Sequence, residues 1–537
     1  MKRFPLGGSL QNLSLWKVVL LAIVAVTVFQ GTRGLFESTE GRYAECAREM
    51  LVAGNFLEPS LEFQPHWTKP PLTYWGIAGG MMLLGQNTWG ARAFQILAFC
   101  LTVFCVYGLA GCLWGKDVAP YAALVYATSP FPLGAANSVN ADTLLTLWES
   151  LALLCFWIGI RRDGSWAFHL MWLCLGGAFL TKGPPGLMPL LSILPIYWLL
   201  RKKTREDFPS LFPAAGILLF VLVGLGWYLF EIMTHEGLLQ YWTRDEVVAR
   251  IASNEFHRNS EWYKPFTIYG PVLIFGGLPW IGLIVWRLKA IPWPKGCWTD
   301  VGYWKQNPEW LFLLLSFFLP LLIFSLSRSR LPLYVLPLFV PLAVALGKGV
   351  HWLMTRGKVS LATINHLALL AVALVVVGKG VMAYRASPRN MGQLARAVQE
   401  ARREVHGAHL YFVDDKPMYG LQFYLKDQFT RVVREDVEPE SPSIIHVSQL
   451  PARIQADCSK GMLAMLLMAR DQLGRIQEIF PPEFMQDVKL ENKTPTGTLS
   501  ASSEAGDTGK ESRPSGARFA VKEIDKKWAL VFPCPQP

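Results

Sequence analysis

Charge is what this sequence has least of. Asp, Glu, Lys and Arg make up 17% of its 537 residues while apolar residues reach 52%, against about a quarter charged in an ordinary soluble chain. With 31 Phe, 21 Trp and a mean hydropathy of +0.28, that scarcity excludes a soluble protein of this length and points to a polytopic membrane protein. Acidic residues are the scarcer sign, 40 against 51 basic, for a net charge of +11. The excess does not mark a nucleic-acid binder. Its Lys and Arg gather in short stretches between apolar runs ("RKKTRED" at 201, "WRLKAIPWPKG" at 286, "KGVHWLMTRGK" at 348), where they read as topology signals. There is no internal repeat, which transporters built on two related halves usually show. Nor is there a cleavage site between the first apolar run and the charges after it, so that run reads as a retained helix.

Apolar runs near the length of a bilayer crossing place spans at 16–31, 92–115, 118–135, 143–160, 165–181, 184–200, 210–232, 266–286, 310–326, 331–347 and 361–384. The stretch 71–85, "PLTYWGIAGGMMLLG", is short and Gly-rich. Counting it as a crossing would put "RKKTRED" outside, against the positive-inside rule, so it is laid in the interface. Eleven spans, or thirteen with the same parity, leave the N-terminus inside and everything after 385 outside. The expected division is thus a membrane domain over 1–385 and a soluble α/β domain over 386–537. The second region mixes a helical pattern ("MGQLARAVQEARREV") with strand-like runs ("HLYFVDD", "SIIHVSQ", "WALVFP"). A Ser-, Thr- and Gly-rich insertion near 492–518 has the composition of a disordered segment. Cys458 and Cys534 bracket that insertion and are a candidate disulfide pair.

The outer segments hold the unusual polar chemistry. In "TEGRYAECAREML" a helical period puts Tyr43, Ala47, Met50 and Leu51 on one face and Arg42, Glu45, Arg48 and Glu49 on the others, as in an amphipathic helix lying on the membrane. Solvated charges account for Arg48 and Glu49. They do not account for Glu37 and Glu40, which sit at the helix start, where a carboxylate gains from the helix dipole and is partly desolvated. Such a group suits a general base or a cation ligand. Lys69 precedes two prolines in "FQPHWTKPPLTYW", where the bland role is a snorkelling interfacial lysine. Asp142 in "ANSVNADTLLTLWES" opens a span, where Asp is a good N-cap. Lys182 lies in "FLTKGPPGL", and Arg328, Arg330 and Tyr334 in "SRSRLPLYVLPL". Together these residues supply carboxylates and cations on one side of a bundle, the combination needed to deprotonate a hydroxyl beside a bound phosphate.

The order "TEGRYAECAREML", "KPPLTYW", "NADTLLTLW", "FLTKGPPGL", "SRSRLPLYVLPL" resembles the integral-membrane glycosyltransferases of the aminoarabinose transferase and protein mannosyltransferase superfamily, the GT-C fold. The resemblance spans roughly residues 10–385. It implies an α-helical polytopic fold with interfacial helices in the first outer loop, followed by the soluble α/β domain. Where the family's first motif has Asp-Glu, this sequence has Thr39 and Glu40, with Glu37 the nearby carboxylate. Thr68 stands where the aminoarabinose branch has an acidic residue associated with metal binding.

Carried over residue by residue, the resemblance implies that Lys69 binds donor phosphate and that Asp142 is the second active-site carboxylate beside Glu37 or Glu40. Arg330 and Tyr334 would face the phosphate or the lipid. Arg42, Tyr43 and Lys182 belong to the matching motifs. The loop "YWTRDEVVARIASNEFHRNSEWYKPF" resembles the family's outer loop and offers Arg250, His257 and Arg258. The implied partners are a polyprenyl-phosphate-linked sugar donor, membrane lipids and a lipid, glycan or protein acceptor. The resemblance fixes no cofactor, and a divalent metal is left open. The implied location is the inner membrane, with the C-terminal domain periplasmic. A phosphate leaving group needs cations rather than an acid, so one carboxylate suffices for a single displacement that inverts the anomeric centre. Two other classes stay open on sequence alone: a transporter, which also has many spans and intramembrane charges, and a non-catalytic lipid-binding scaffold.

Overall fold

The computed structural model describes residues 13–161, 165–201, 208–248, 259–290, 301–404, 408–426, 429–438, 443–460, 462–475, 520–524 and 527–532. The expected insertion near 492–518, Cys534, Arg250, His257 and Arg258 lie outside these. The chain divides into two compact units, Met1–Arg33 with Cys46–Ser60 and Pro65–Arg385, and Gly34–Glu45 with Leu61–Gln64 and Ala386–Pro537. Two pieces of the first outer segment, Gly34–Glu45 and Leu61–Gln64, thus belong to the second unit.

The first unit is helical and holds the membrane spans. Among the described residues six helices are long and apolar enough to cross a bilayer: Thr88–Trp114, Asp142–Arg161, Ala214–Thr234, Pro308–Leu326, Pro332–Thr355 and Leu361–Tyr384. The chain is a multi-pass membrane protein. Several of the other expected crossings coincide with helices that are short or interrupted. The run 118–135 divides into Ala119–Thr128 and Pro130–Ala135 at an extended Ser129, because the residue before a proline is pushed away from helical geometry. The run 184–200 opens as a short 3₁₀ turn, Pro184–Leu187, before the helix Leu190–Arg201. Lys264–Gly276 and Trp280–Trp286 meet at 84°, across a break that contains Gly277 and Pro279, residues that end and redirect helices. Hydropathy sees an apolar run in each case and not the break inside it.

The core of this unit gathers Val19, Phe99, Val106, Leu124, Phe156, Trp157, Phe168, Phe312 and Phe339. Gly347 of Pro332–Thr355 lies directly on the backbone of Ala122, a close approach that leaves no room for a Cβ. Asn87 caps Thr88–Trp114 by accepting the amides of Trp89 and Gly90, satisfying donors the first turn leaves free.

The second unit has a six-stranded sheet. In chain order β1 is His409–Val413, β2 Phe429–Val433, β3 Ile444–His446, β4 Ala464–Ala469, β5 Ala520–Glu523 and β6 Trp528–Phe532. The spatial order is β3-β2-β1-β4-β6-β5. The first four strands are parallel, and β6 runs antiparallel to both β4 and β5. Alternate residues of β1 feed two cores: Leu410 and Phe412 pack with Met391, Leu394 and Val398 of the helix Met391–Glu404, whereas Tyr411 and Val413 pack with Leu450 and Ile454 of the helix Leu450–Ser459. The strand period of two thus yields helices on both faces of a largely parallel sheet, the soluble α/β domain expected.

Candidate active site

Asp142 and Lys182 are brought together in the first unit. Asp142 is the first residue of Asp142–Arg161, and Lys182 is the last of Ser165–Lys182. The Lys182 ammonium is hydrogen-bonded to Asp142 Oδ1, with both side chains about a tenth exposed. The capping role open to Asp142 is filled by Asn140, whose Oδ1 accepts the amide of Thr143 at 2.8 Å, so the Asp142 carboxylate is available to side-chain chemistry. Gly183 follows Lys182 with φ +77°, and the Pro184 turn after it stops the helix there. The Lys182 ammonium also lies 4.3 Å from the ring centroid of Tyr334, within cation–π range.

Lys182 and Tyr334 face a cavity of about 220 Å³ that is also lined by Lys69, Thr68, Ser327 and Ser329. Its remaining wall is apolar and aromatic, with Trp67, Tyr228, Trp242, Met188, Ile323 and Phe324. The lining combines cationic and hydroxyl groups with a largely hydrocarbon surface, a combination that suits an anionic head on an apolar tail. Lys69 Nζ donates to the carbonyl of Thr68 at 2.7 Å. The aromatic wall is pinned by indole donors: Trp242 Nε1 reaches the carbonyl of Trp67 at 2.9 Å, and Trp227 Nε1 that of Leu57 at 2.7 Å. Behind Trp67 stands His235, between Glu58 and Glu231. In the sequence only the spacing of Glu231 and His235, one helical turn apart, signals this group.

Arg330 takes a different place from the one the sequence implied. It is 5% exposed. Its guanidinium donates to the carbonyls of Asn259 and Glu261, each at 2.8 Å, and to that of Ser325 at 3.0 and 3.2 Å. It clamps three backbone positions and does not line the cavity, where its neighbours Ser329 and Tyr334 do.

Glu37, Glu40, Arg42 and Tyr43 belong to the second unit. Glu40 Oε2 accepts the amide of Phe36 at 2.8 Å, closing the turn before the helix Thr39–Ala53. Glu37 Oε2 accepts the amide of Gly420 at 2.7 Å, and its buried Oε1 has no hydrogen-bond partner among the described residues. Burial pushes the Glu37 carboxyl up to about 7, against the opposing pull of the Gly420 amide and the Arg42 charge. The Arg42 guanidinium is 5.9 Å from the ring centroid of Tyr43. Residues 34–37 are further tied to this unit through Leu35 N–H to the Tyr424 hydroxyl at 2.9 Å and Glu37 N–H to the Arg389 carbonyl at 3.0 Å. Glu62 forms a buried ion pair with Arg431 at 2.8 Å.

The expected solvation of Arg48 and Glu49 is corrected. They are 2% and 0% exposed, and Glu45 is 0% exposed. Glu49 Oε2 accepts the hydroxyl of Ser60 at 2.7 Å. A hydrophobic period identifies the apolar face of Thr39–Ala53, but it carries no information on whether the polar faces meet water or protein.

Among the described residues no group of three or more His, Cys, Asp or Glu is placed to hold a divalent metal. Thr68 brings a hydroxyl, 2.5 Å from His66 Nε2, where a carboxylate ligand would be needed, and Asp142 is engaged by Lys182.

The helical unit and the α/β unit have the fold of a crystal structure of ArnT from Cupriavidus metallidurans bound to undecaprenyl phosphate, with a TM-score of 0.68 at 19% identity over 97% of this chain and 98% of that one. In sequence, residues 68–227 match the family model described as dolichyl-phosphate-mannose-protein mannosyltransferase. The chain is 32% identical over 381 residues to an undecaprenyl phosphate-alpha-4-amino-4-deoxy-L-arabinose arabinosyl transferase of Pseudomonas paraeruginosa, covering 69% of this chain and 64% of that protein. A protein of the same name from Pectobacterium atrosepticum is 31% identical over 377 residues, covering 68% and 65%. The aligned region thus spans slightly less than two thirds of these relatives. In sequence and in fold the chain resembles the GT-C integral-membrane glycosyltransferases of the aminoarabinose transferase and protein mannosyltransferase superfamily.

Proposed function

We propose that the chain is an inner-membrane glycosyltransferase that moves a sugar from a polyprenyl-phosphate donor to an acceptor hydroxyl or phosphate, on a lipid or other glycan, at the periplasmic face. The observation that carries this reading is the cavity lined by Lys69, Lys182 and Tyr334 together with apolar and aromatic side chains, with Asp142 on Lys182. The cations would hold the donor phosphate, and the apolar wall its tail, at about 0.8 kcal/mol per buried methylene. The acceptor hydroxyl attacks the anomeric carbon as the bond from that carbon to the phosphate oxygen breaks, and polyprenyl phosphate leaves with its charge met by Lys69 and Lys182. As Lys182 turns to the phosphate it releases Asp142, which takes the hydroxyl proton. The single displacement inverts the anomeric centre. An acceptor phosphate would need no base. Glu37 and Glu40 are proposed as catalytic carboxylates, and Arg42, Tyr43, Arg250, His257, Arg258 and Arg330 as substrate-binding residues. The relatives named as aminoarabinose transferases support an amino sugar as cargo. The match to a protein mannosyltransferase model favours, as second reading, a protein hydroxyl as acceptor.

Incubating the purified chain with a labelled undecaprenyl-phosphate sugar and candidate acceptors tests the reading. Transfer or donor hydrolysis supports an enzyme; uptake of the labelled lipid into vesicles without either would replace it with a transporter. The proposed face is checked by impermeant thiol labelling of spheroplasts: a cysteine at Thr68 should react and one at Thr204 should not, and the reverse pattern would invert the topology.

A further inference from the structure

Tyr269 brings a buried phenol close to the cavity, and the proposed reaction does not use it. It lies in the helix Lys264–Gly276 and is 1% exposed, and its hydroxyl has no hydrogen-bond partner among the described residues. Tyr269 clusters with Val335 and Leu338 of the 3₁₀ turn Pro332–Leu338, the element that carries Tyr334, and Phe324 of the cavity wall packs against that cluster. Among charged and titratable groups Tyr334 acts on it most strongly, followed by Arg330 and Asp142. The backbone clamp made by Arg330 ties the two tyrosines' elements together. Its guanidinium binds the carbonyls of Asn259 and Glu261, just before the helix of Tyr269, and the Asn259 side-chain amide donates to the Arg330 carbonyl at 3.0 Å, four residues before Tyr334. A buried hydroxyl without a partner is destabilising, and native structures hold few of them.

We propose that Tyr269 is a positioning residue for the donor phosphate: when the Tyr334 hydroxyl donates to a phosphate oxygen, its own oxygen accepts from the Tyr269 hydroxyl. This rests on the reading of the cavity as a polyprenyl-phosphate site. A phenol can donate one hydrogen bond while accepting another, and a hydroxyl that accepts becomes a stronger donor, because bonds in a chain polarise one another. The Tyr334 ring lies against the Lys182 ammonium; as Lys182 turns to the phosphate, the ring is released to complete the chain. No proton changes hands. The hydroxyl of Tyr269 is unpaired without the ligand and paired with it, so the gain falls on binding and not on the chemical step.

The test is a double-mutant cycle on the Kd of the detergent-solubilised full chain for undecaprenyl phosphate. Tyr269→Phe keeps the ring and removes only the hydroxyl. It should weaken binding about five- to tenfold, the range for one hydrogen bond, with the loss in donor KM rather than in kcat. The unliganded variant should melt at the same temperature as the unsubstituted chain or higher, because an unpaired buried hydroxyl is gone. In a Tyr334→Phe background the same substitution should change Kd less than about twofold. An unchanged Kd for Tyr269→Phe, a lowered melting temperature, an equal loss with and without the Tyr334 hydroxyl, or a loss confined to kcat would overturn the proposal alone. Absence of binding by the unsubstituted chain would overturn the reading of the cavity and this proposal with it.

Discussion

The ammonium of Lys182 is bonded to the carboxylate of Asp142, 40 positions earlier in the chain, where two neighbouring helices end and begin. In this state each group masks the other: the lysine has an anion and the aspartate is not free to take a proton. An incoming phosphate competes for Lys182 and unmasks Asp142, so donor binding and base activation become one event. Asp142→Asn should lower transfer at least about a hundredfold, the range for general bases and electrostatic groups, with donor KM changed far less. Initial rates over a donor titration check this, and wild-type kcat in the variant would remove Asp142 from the chemistry.

Lys69 should behave differently. It lines the cavity but is not the residue bonded to Asp142, so its loss falls on binding. Lys69→Ala should raise the Kd for undecaprenyl phosphate about ten- to a hundredfold, as expected for one charge-assisted hydrogen bond, while kcat at saturating donor drops much less. A variant with unchanged Kd would show that the phosphate sits elsewhere.

Glu37 gives the folded chain a pH dependence of known sign. Its carboxyl titrates at about 7 when folded, against an ordinary 4.5. Between those values the folded state binds a proton that the unfolded state does not, so this group's favourable contribution, complete below pH 4.5, is lost as pH rises through 7. The loss is on the order of 3 kcal/mol. Glu37→Gln, which still accepts from Gly420, should therefore unfold at a higher temperature than the unsubstituted chain at pH 8 and at the same temperature at pH 4. Thermal melts in detergent at both pH values decide it; an equal shift at both would mean the effect is not titration.

Within the second unit, Arg431 and Glu62 form a pair with side chains 7% and 4% exposed, and Gln422 adds a bond to Glu62 at 3.2 Å. Removing one partner leaves a buried charge without compensation, so Arg431→Met should destabilise by about 3–5 kcal/mol. The double substitution Glu62→Leu with Arg431→Met should recover much of that loss. A double-mutant cycle by thermal melting measures the coupling, and additive losses would deny the pair its role.

The sequence by itself determined that this is a membrane protein with a terminal α/β domain, because apolar density and residue period are local properties of the chain. It also determined which short motifs carry carboxylates and cations, and in what order. Tertiary structure decided which of those residues are available. Asn140 takes the capping duty that Asp142 was equally suited to fill, and Arg330 spends its donors on three carbonyls. Glu40, Glu45, Arg48 and Glu49 of Thr39–Ala53 are buried. Residues 34–45 and 61–64 fold with the C-terminal unit, an assignment resting on contacts such as Glu62 to Arg431, 369 positions apart. Hydropathy and periodicity describe how a residue relates to its neighbours along the chain. Whether a buried polar group is satisfied depends on atoms that only folding brings within 3 Å.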